Sequence, residues 1–459
     1  MSAVPALDRT RVPAPGPLRP FRFPAVERRT LSNGLEVLAA EVRGFPVVTF
    51  DLVMDGGGVA EPSAQGGVAS LAAGLLESGA GERGAAEIAE AVDGLGLALD
   101  SGVSWDTAQA GFTSLRSRAD AGFAILADLV RRPTFPQDEV DRLRDERLAA
   151  LTQRRATPAA LADEVAVRSI FAPGTPFSRL LGGVAGTVAG LDRERVAAFH
   201  AARYRPRGAA LVAAGDVSLD EAVALAERFL GDWTGAAAAV AAPDVRPRFD
   251  RATIVIADRP GAVQSEIRVG HVGIERTAPD FFAVTVMNAI LGGVFSSRLN
   301  RTLRERLGYT YGASSSFASR RQPGTFTAHA AVQTEVTAHA VAEMLREIRE
   351  LREVQVGEVE LTDVRTFLAG VFPLGLQTTD GVASRLVTLF TFGLPDDYYA
   401  HHRDRILSVT AAEVQDAARR RLWPDRAAIV VAGDAEKVRG PLEDLGLGPV
   451  EILDPATLG

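Results

Sequence analysis

Hydrophobic and polar positions along this chain switch between two periods. Thr30 to Val42 alternates on either side of Asn33-Gly34, a pair that favours a tight hairpin turn. Val48, Phe50 and Leu52 extend the period-two pattern into a further strand. Gly67 to Leu76 then places Val68, Leu71, Ala72 and Leu75 at helical spacing, and Ala85 to Val92 predicts another short helix. Leu97 to Leu115 reads as two strands, followed by long helices from Ser117 to about Phe171. A second series runs strand (252–257), strand (264–272), helix (279–291), helix (297–306), two strands (309–331), then helices to about Arg421. Strand runs followed by helix runs predict the α+β class, here as two domains, each a mostly antiparallel sheet backed by helices.

The two series are copies. RPRGAALVAAGD (205–216) and WPDRAAIVVAGD (423–434) align Pro206 with Pro424 and Gly215-Asp216 with Gly433-Asp434, at an offset of 424 − 206 = 218. Val196 and Val414 fall at the same offset in the preceding helix, and EVDRLRDERL (from Glu139) resembles EVELTDVRTFL (from Glu358). So long a period indicates domain duplication rather than a solenoid. The expected division is a disordered Pro-rich leader (1–24), an N-terminal domain (25–233), a linker (234–250) of small residues and prolines, and a C-terminal domain (251–459).

Composition removes several chemistries. There is no cysteine, so thiol nucleophiles, disulfides and cysteine metal sites are excluded. Lys437 is the one lysine, and no G-K-[ST] phosphate loop surrounds it. A net charge of −8 argues against a nucleic-acid partner. No run of 18 apolar residues occurs, and the leader, broken by Pro5, Pro13, Pro15, Pro17 and Pro20, has no export-signal core, so the expectation is a cytoplasmic protein with no membrane contact. His200, His271, His329, His339, His401 and His402 include no helical i, i+4 pair and are expected to be solvated or internally satisfied. Gly79–Gly84 matches G-x-G-x-x-G but follows a helix, so it reads as a turn, and Ser314–Ser316 lacks a nucleophile elbow.

LSNGLEVL, GGVASLAAGLLESG, AAEIAEAVDGLG, RRPTFPQDEV, DRPGAVQSEI and GGVFSSRLNRTLRERLGYTYGA occur in this order along a duplicated unit of about 220 residues. In that order they resemble the insulinase/pitrilysin-type inverted-zinc peptidases, a family that includes mitochondrial processing peptidase and the core subunits of the respiratory cytochrome complex. The resemblance implies a zinc site, H-x-x-E-H, on the first helix of the N-terminal half, with a further glutamate about 75 residues on. Two histidines at i, i+4 share a helix face to bind Zn²⁺, and the glutamate between them activates the metal-bound water. Laid on that pattern, Ser70 and Gly74 occupy the histidine positions and Ala73 the base position. The distal ligand falls at Ala149-Ala150-Leu151, with Glu146 the nearest carboxylate, about one helical turn away. His200 is the one histidine of this half, so no shift of register restores a two-histidine site. No metal is expected on this chain.

The resemblance also implies an Arg and a Tyr, seven residues apart in the second half, that reach over the zinc site of the other half or of a partner. Arg304 and Tyr311 have that spacing, with Tyr309 the alternative tyrosine. Arg304 is expected in the last turn of a helix ended by Gly308, with Tyr309, Tyr311 and Ala313 alternating on one face of a strand. A guanidinium and a phenol can bind a peptide carbonyl and stabilise the oxyanion formed on hydrolysis. The expectation is a non-catalytic subunit of a two-chain zinc peptidase: a homologous partner carries H-x-x-E-H and zinc, and Arg304 and Tyr311 bind peptide there. The alternative is a structural scaffold subunit with no peptidase role.

Overall fold

The computed structural model describes residues 16–458. The first half builds a six-stranded sheet from β1 (Glu27–Thr30), β2 (Glu36–Glu41), β3 (Val47–Met54), β4 (Ala98–Val103), β5 (Ala108–Leu115) and β6 (Ala210–Gly215), in the order β1-β2-β6-β3-β5-β4. All neighbours are antiparallel except β2 and β6. Asn33-Gly34 makes the β1–β2 turn: Gly34 sits at φ +89°, and the Asn33 side chain accepts from the Leu35 amide at 3.1 Å.

The second half repeats the sheet with β7 (Thr253–Asp258), β8 (Gln264–Val272), β9 (Ala313–Ala318), β10 (Thr325–Gln333), β11 (Ala428–Gly433) and β12 (Val450–Leu453), in the order β9-β10-β8-β11-β7-β12. Five strands keep the same neighbours in both halves: β2-β6-β3-β5-β4 corresponds to β7-β11-β8-β10-β9. The outermost strand differs, because β1 pairs antiparallel with β2 whereas the C-terminal β12 pairs parallel with β7. The repeated sequence segments are β6 and β11. Both are buried along their whole length, which explains continuous apolar runs where a half-exposed strand would alternate.

The helices do not stay with their own half. Val37, Phe50, Leu52 and Leu211 on one face of the first sheet pack with helices Ala119–Arg131 and Leu219–Leu230 of the same half. The opposite face, with Leu38, Val53 and Val212, is covered by Val382, Ala383, Leu386 and Leu389 of helix Thr379–Phe392, from the second half. Reciprocally, Val255, Ala257, Val430 and Ala432 of the second sheet lie under Leu161, Ala162 and Val165 of helix Pro158–Ile170, from the first half. Each sheet is therefore closed by a helix of the other copy. Burying one such Leu or Val side chain contributes about 1.5–3 kcal/mol, so the exchange is a large part of what joins the halves. Polar ties reinforce it: Thr49 Oγ1 bonds Thr379 Oγ1 at 2.8 Å, and Arg321 pairs with Asp55 at 2.5 Å while its amide donates to Asp106.

Residues 234–250 contain no helix or strand. The expected disordered leader lies outside the described residues over 1–15, and 16–24 contain no helix or strand. Within the latter, Phe23 is buried against Tyr399 (5.2 Å between ring centroids) and Phe21 stands edge-on to Phe372 (5.9 Å), so apolar contact with the second half holds these two side chains. Among the described residues, no helix is long and apolar enough to cross a membrane.

Candidate functional site

The helix of the degenerate zinc motif is Val68–Gly74. Val68, Ala69, Leu71, Ala72 and Ala73 are buried, Ser70 is half-buried and Gly74 is exposed. The two histidine positions of the family pattern thus share the open face of an otherwise packed helix. Glu61, its side chain fully buried, accepts from the Gly67 amide at 3.1 Å and the Ala69 amide at 2.8 Å at the helix start. Arg179 pairs with the same carboxylate. Burial pushes the Glu61 carboxyl above its ordinary value, against the opposing pull of Arg179 and the two amides. On the open face, Arg147 donates to Ser70 Oγ at 3.0 Å. A Cβ on Gly74 would stand 3.1 Å from Leu143. Glu146 is exposed and pairs with Arg142 at 3.0 Å.

The histidines are engaged elsewhere. His200 shares a hydrogen bond with the Val130 carbonyl, and His271 bonds the Val272 carbonyl through Nδ1 and accepts the Trp423 amide through Nε2. Burial lowers both to about 4, as it does His402. His329 bonds Ser314 Oγ at 2.7 Å.

The second-half segment separates its candidates sharply. A wide helical turn, Asn300–Arg306, carries Arg304 and ends at Leu307; Gly308 follows at φ +66°, and the Tyr309 amide closes back on the Leu303 carbonyl at 2.8 Å. Of the four arginines here, Arg298 and Arg301 pair with Glu360, and Arg306 pairs with Glu343. Arg304 has no carboxylate partner among the described residues. Its guanidinium lies 4.3 Å above the Phe295 ring, which is itself 68% exposed. Tyr309 packs against the second core and bonds His339 Nδ1 through its hydroxyl at 2.7 Å. Tyr311 is 98% exposed.

The expected strand alternation of Tyr309, Tyr311 and Ala313 is not observed. Thr310 Oγ1 and Gly312 form a local turn (2.8 and 3.1 Å), and Asn300 Oδ1 accepts the Ala313 amide at 2.9 Å, so the ladder with β10 begins at Ala313. The two tyrosines therefore diverge, one inward and one into solvent. Phe295 was not anticipated from spacing; the signal available was a large aromatic residue beside Gly292-Gly293.

Two family models match the chain, "Insulinase (Peptidase family M16)" over residues 37–173 and "Peptidase M16 inactive domain" over residues 190–368. The chain belongs to the M16 insulinase family. Among its relatives, an uncharacterized zinc protease of Streptomyces coelicolor is 26% identical over 404 residues, covering 86% of each chain. The non-peptidase homolog YmxG of Helicobacter pylori is 25% identical over 391 residues, covering 83% of this chain and 87% of its own. A crystal structure described as a peptidase M16 inactive domain, from Pseudomonas fluorescens, matches at TM-score 0.83 and 26% identity, covering 89% of this chain and 98% of that one.

For an M16 chain the question is whether the first helix could hold zinc, and the residues present do not fit. Ser70 offers a hydroxyl already bonded to a permanent guanidinium, Gly74 offers nothing, and Ala73 has no base. A cation at Arg147 also opposes a second cation beside it. Among the described residues, no three His, Cys, Asp or Glu side chains are grouped to hold a metal ion. This M16 chain carries the family fold, and the model of the inactive domain matches its residues 190–368.

Proposed function

We propose that this M16 chain is the non-catalytic subunit of a heteromeric zinc peptidase, lending Arg304 and Tyr311 to the active site of a homologous subunit that carries H-x-x-E-H. The observation that supports this reading is the state of the pair. Among the described residues, Arg304 is the one arginine of its turn without a carboxylate partner, and Tyr311 extends fully into solvent, whereas Tyr309 is committed to His339. Tyr311 is therefore the tyrosine of this proposal. A guanidinium resting on Phe295 and a free phenol have unused donors for a peptide carbonyl and for the oxyanion that forms from it. Zinc and the water-activating base would come from the partner.

The test is co-expression with a homologue carrying H-x-x-E-H, followed by size-exclusion mass measurement, metal analysis and turnover of a quenched peptide. Arg304→Ala or Tyr311→Phe should lower kcat about 10²-fold, the size of losing one oxyanion donor, while leaving assembly intact. Assembly with undiminished turnover in both variants assigns the chain a scaffold role instead.

A further inference from the structure

Phe295 stands out in water, yet the backbone that presents it is fixed on both sides. Before it, the wide turn Ala289–Gly293 lies so close to β9 that a Cβ on Gly292 would stand 2.5 Å from the Ser315 amide nitrogen. Asn288, at the start of that turn, donates to the Ser315 carbonyl at 3.0 Å. After it, the Ser297 amide donates to the Val294 carbonyl at 3.1 Å, and Ser297 and Leu299 are buried. Val294 itself packs against the second core. The ring is therefore held outward by a packed backbone.

Phe45, Phe295 and Phe367 are the exposed phenylalanines among the described residues, and of these Phe295 alone has a guanidinium on its face. A carboxylate partner orients an arginine by occupying its N–H donors. A ring face orients the guanidinium plane through the π-system and leaves the five N–H groups along its edge unused. Arg304 makes no carboxylate pair among the described residues, so the contact with Phe295 sets where those donors point. The part of the ring that Arg304 leaves uncovered stays in water beside them, and covering such apolar surface is favourable.

We propose that Phe295 has two roles where Arg304 acts: its face positions the Arg304 guanidinium, and its uncovered surface receives a large apolar side chain of the peptide, next to the carbonyl that Arg304 binds. The preferred substrates are then peptides with leucine, methionine or an aromatic residue beside the bond that is cleaved. Phe295 is a positioning and specificity-determining residue. This inference rests on the reading that Arg304 serves the active site of a zinc-bearing homologue.

The test uses the complex reconstituted with that homologue, and quenched peptides that differ only in having phenylalanine, leucine or serine on either side of the scissile bond. With the wild-type chain, kcat/KM should favour the apolar peptides over serine by at least about tenfold at one of the two positions. Phe295→Ala should remove most of that preference, mainly through KM, and lower kcat about two- to fivefold, the size of one exposed cation–π contact. Phe295→Leu separates the two roles: it keeps the apolar surface and the preference, but it has no π-face and should show the same loss of kcat. Phe295→Tyr should restore both. In an Arg304→Ala background, Phe295→Leu should lower kcat no further, because positioning acts through Arg304. In the isolated chain, the Arg304 Nε–H proton resonance, identified by its loss in Arg304→Lys, should move downfield in Phe295→Leu as the ring current disappears. An unmoved resonance overturns the positioning role whether or not a complex forms. Unchanged preference and kcat in Phe295→Ala, with Arg304→Ala impaired, overturns this inference alone, whereas undiminished turnover in Arg304→Ala removes the reading beneath it as well. Loss of assembly in Phe295→Ala, read by size exclusion, would show that the partner subunit rather than peptide covers the ring, and would also overturn it.

Discussion

Asp51 should make this protein less stable as pH rises toward neutrality. It lies on β3 between Gly111 of β5 and Val212 of β6. By strand alternation it shares a face with Thr49, which bonds Thr379 of the exchanged helix. Gly111 makes room for it, since a Cβ there would stand 2.0 Å from the carboxyl oxygen. Burial first, then Asp380 and Asp100, push the carboxyl from its ordinary 3.8 up to about 7. Between those values the folded protein keeps a proton that the unfolded chain has released. Stability therefore falls as pH rises through this window, and the full penalty is present above pH 7. About 3 pH units at 1.36 kcal/mol each set a ceiling of about 4 kcal/mol, and partial relaxation around the carboxylate brings the expected size to about 2–4 kcal/mol. Asp51→Asn keeps the shape and removes the titration. Urea denaturation at half-unit pH steps should show the variant gaining on the wild type from pH 4.5 upward, with the gap levelling off above about pH 7.5. A gap that stays constant with pH, or one that widens toward acid, would refute the assignment.

Further expectations follow from the packing. Leu386→Ala and Leu161→Ala, both fully buried in the exchanged helices, should each cost about 2–5 kcal/mol in chemical denaturation. Both should leave one cooperative transition, and two separate transitions would contradict the reciprocal closure. Glu61→Gln strips the charge from a buried pair and leaves Arg179 uncompensated, so a loss of about 3–5 kcal/mol is expected; less than about 1 kcal/mol would show that the pair does not hold the helix start. Tyr311→Phe should leave the melting curve within about 0.5 kcal/mol of wild type, while Tyr309→Phe loses about 1 kcal/mol with its bond to His339; the reverse ranking would exchange their roles.

The duplication was legible because it is written in local pattern. The runs in β6 and β11 are apolar throughout and end in Gly-Asp, so the two copies of one central strand announce themselves at a fixed offset. The helix exchange was not legible. Leu161 and Val165, like Val382 and Leu386, form an i, i+4 stripe that states what is buried and says nothing of which sheet lies beneath it. The tyrosines failed for a related reason. Tyr309, Tyr311 and Ala313 alternate as a strand should, but the ladder starts where Asn300, 13 residues earlier, captures the Ala313 amide. The isolation of Arg304 also rests on distant partners: Glu360 and Glu343 take its three neighbours, and sequence shows only an arginine-rich stretch.

The first helix of this M16 chain is held in place by residues other than those at the family's metal positions. Its burial rests on Val68, Ala69, Leu71, Ala72 and Ala73, and its start is held by Glu61 and Arg179. Ser70 and Gly74 are on the open side, where small residues cost the core nothing. A histidine at 74 would have to displace Leu143, and one at 70 would meet Arg147. Restoring the two histidines and the glutamate would therefore return the letters of H-x-x-E-H without a working ligand cage, since nothing at 149–151 supplies the distal carboxylate. A Ser70→His, Ala73→Glu, Gly74→His variant should fold, and in equilibrium dialysis it should hold zinc no more tightly than an exposed histidine pair. Tight stoichiometric zinc in that variant would mean that the second half or a neighbouring loop already supplies the missing ligand, and the account of this face would have to be redrawn.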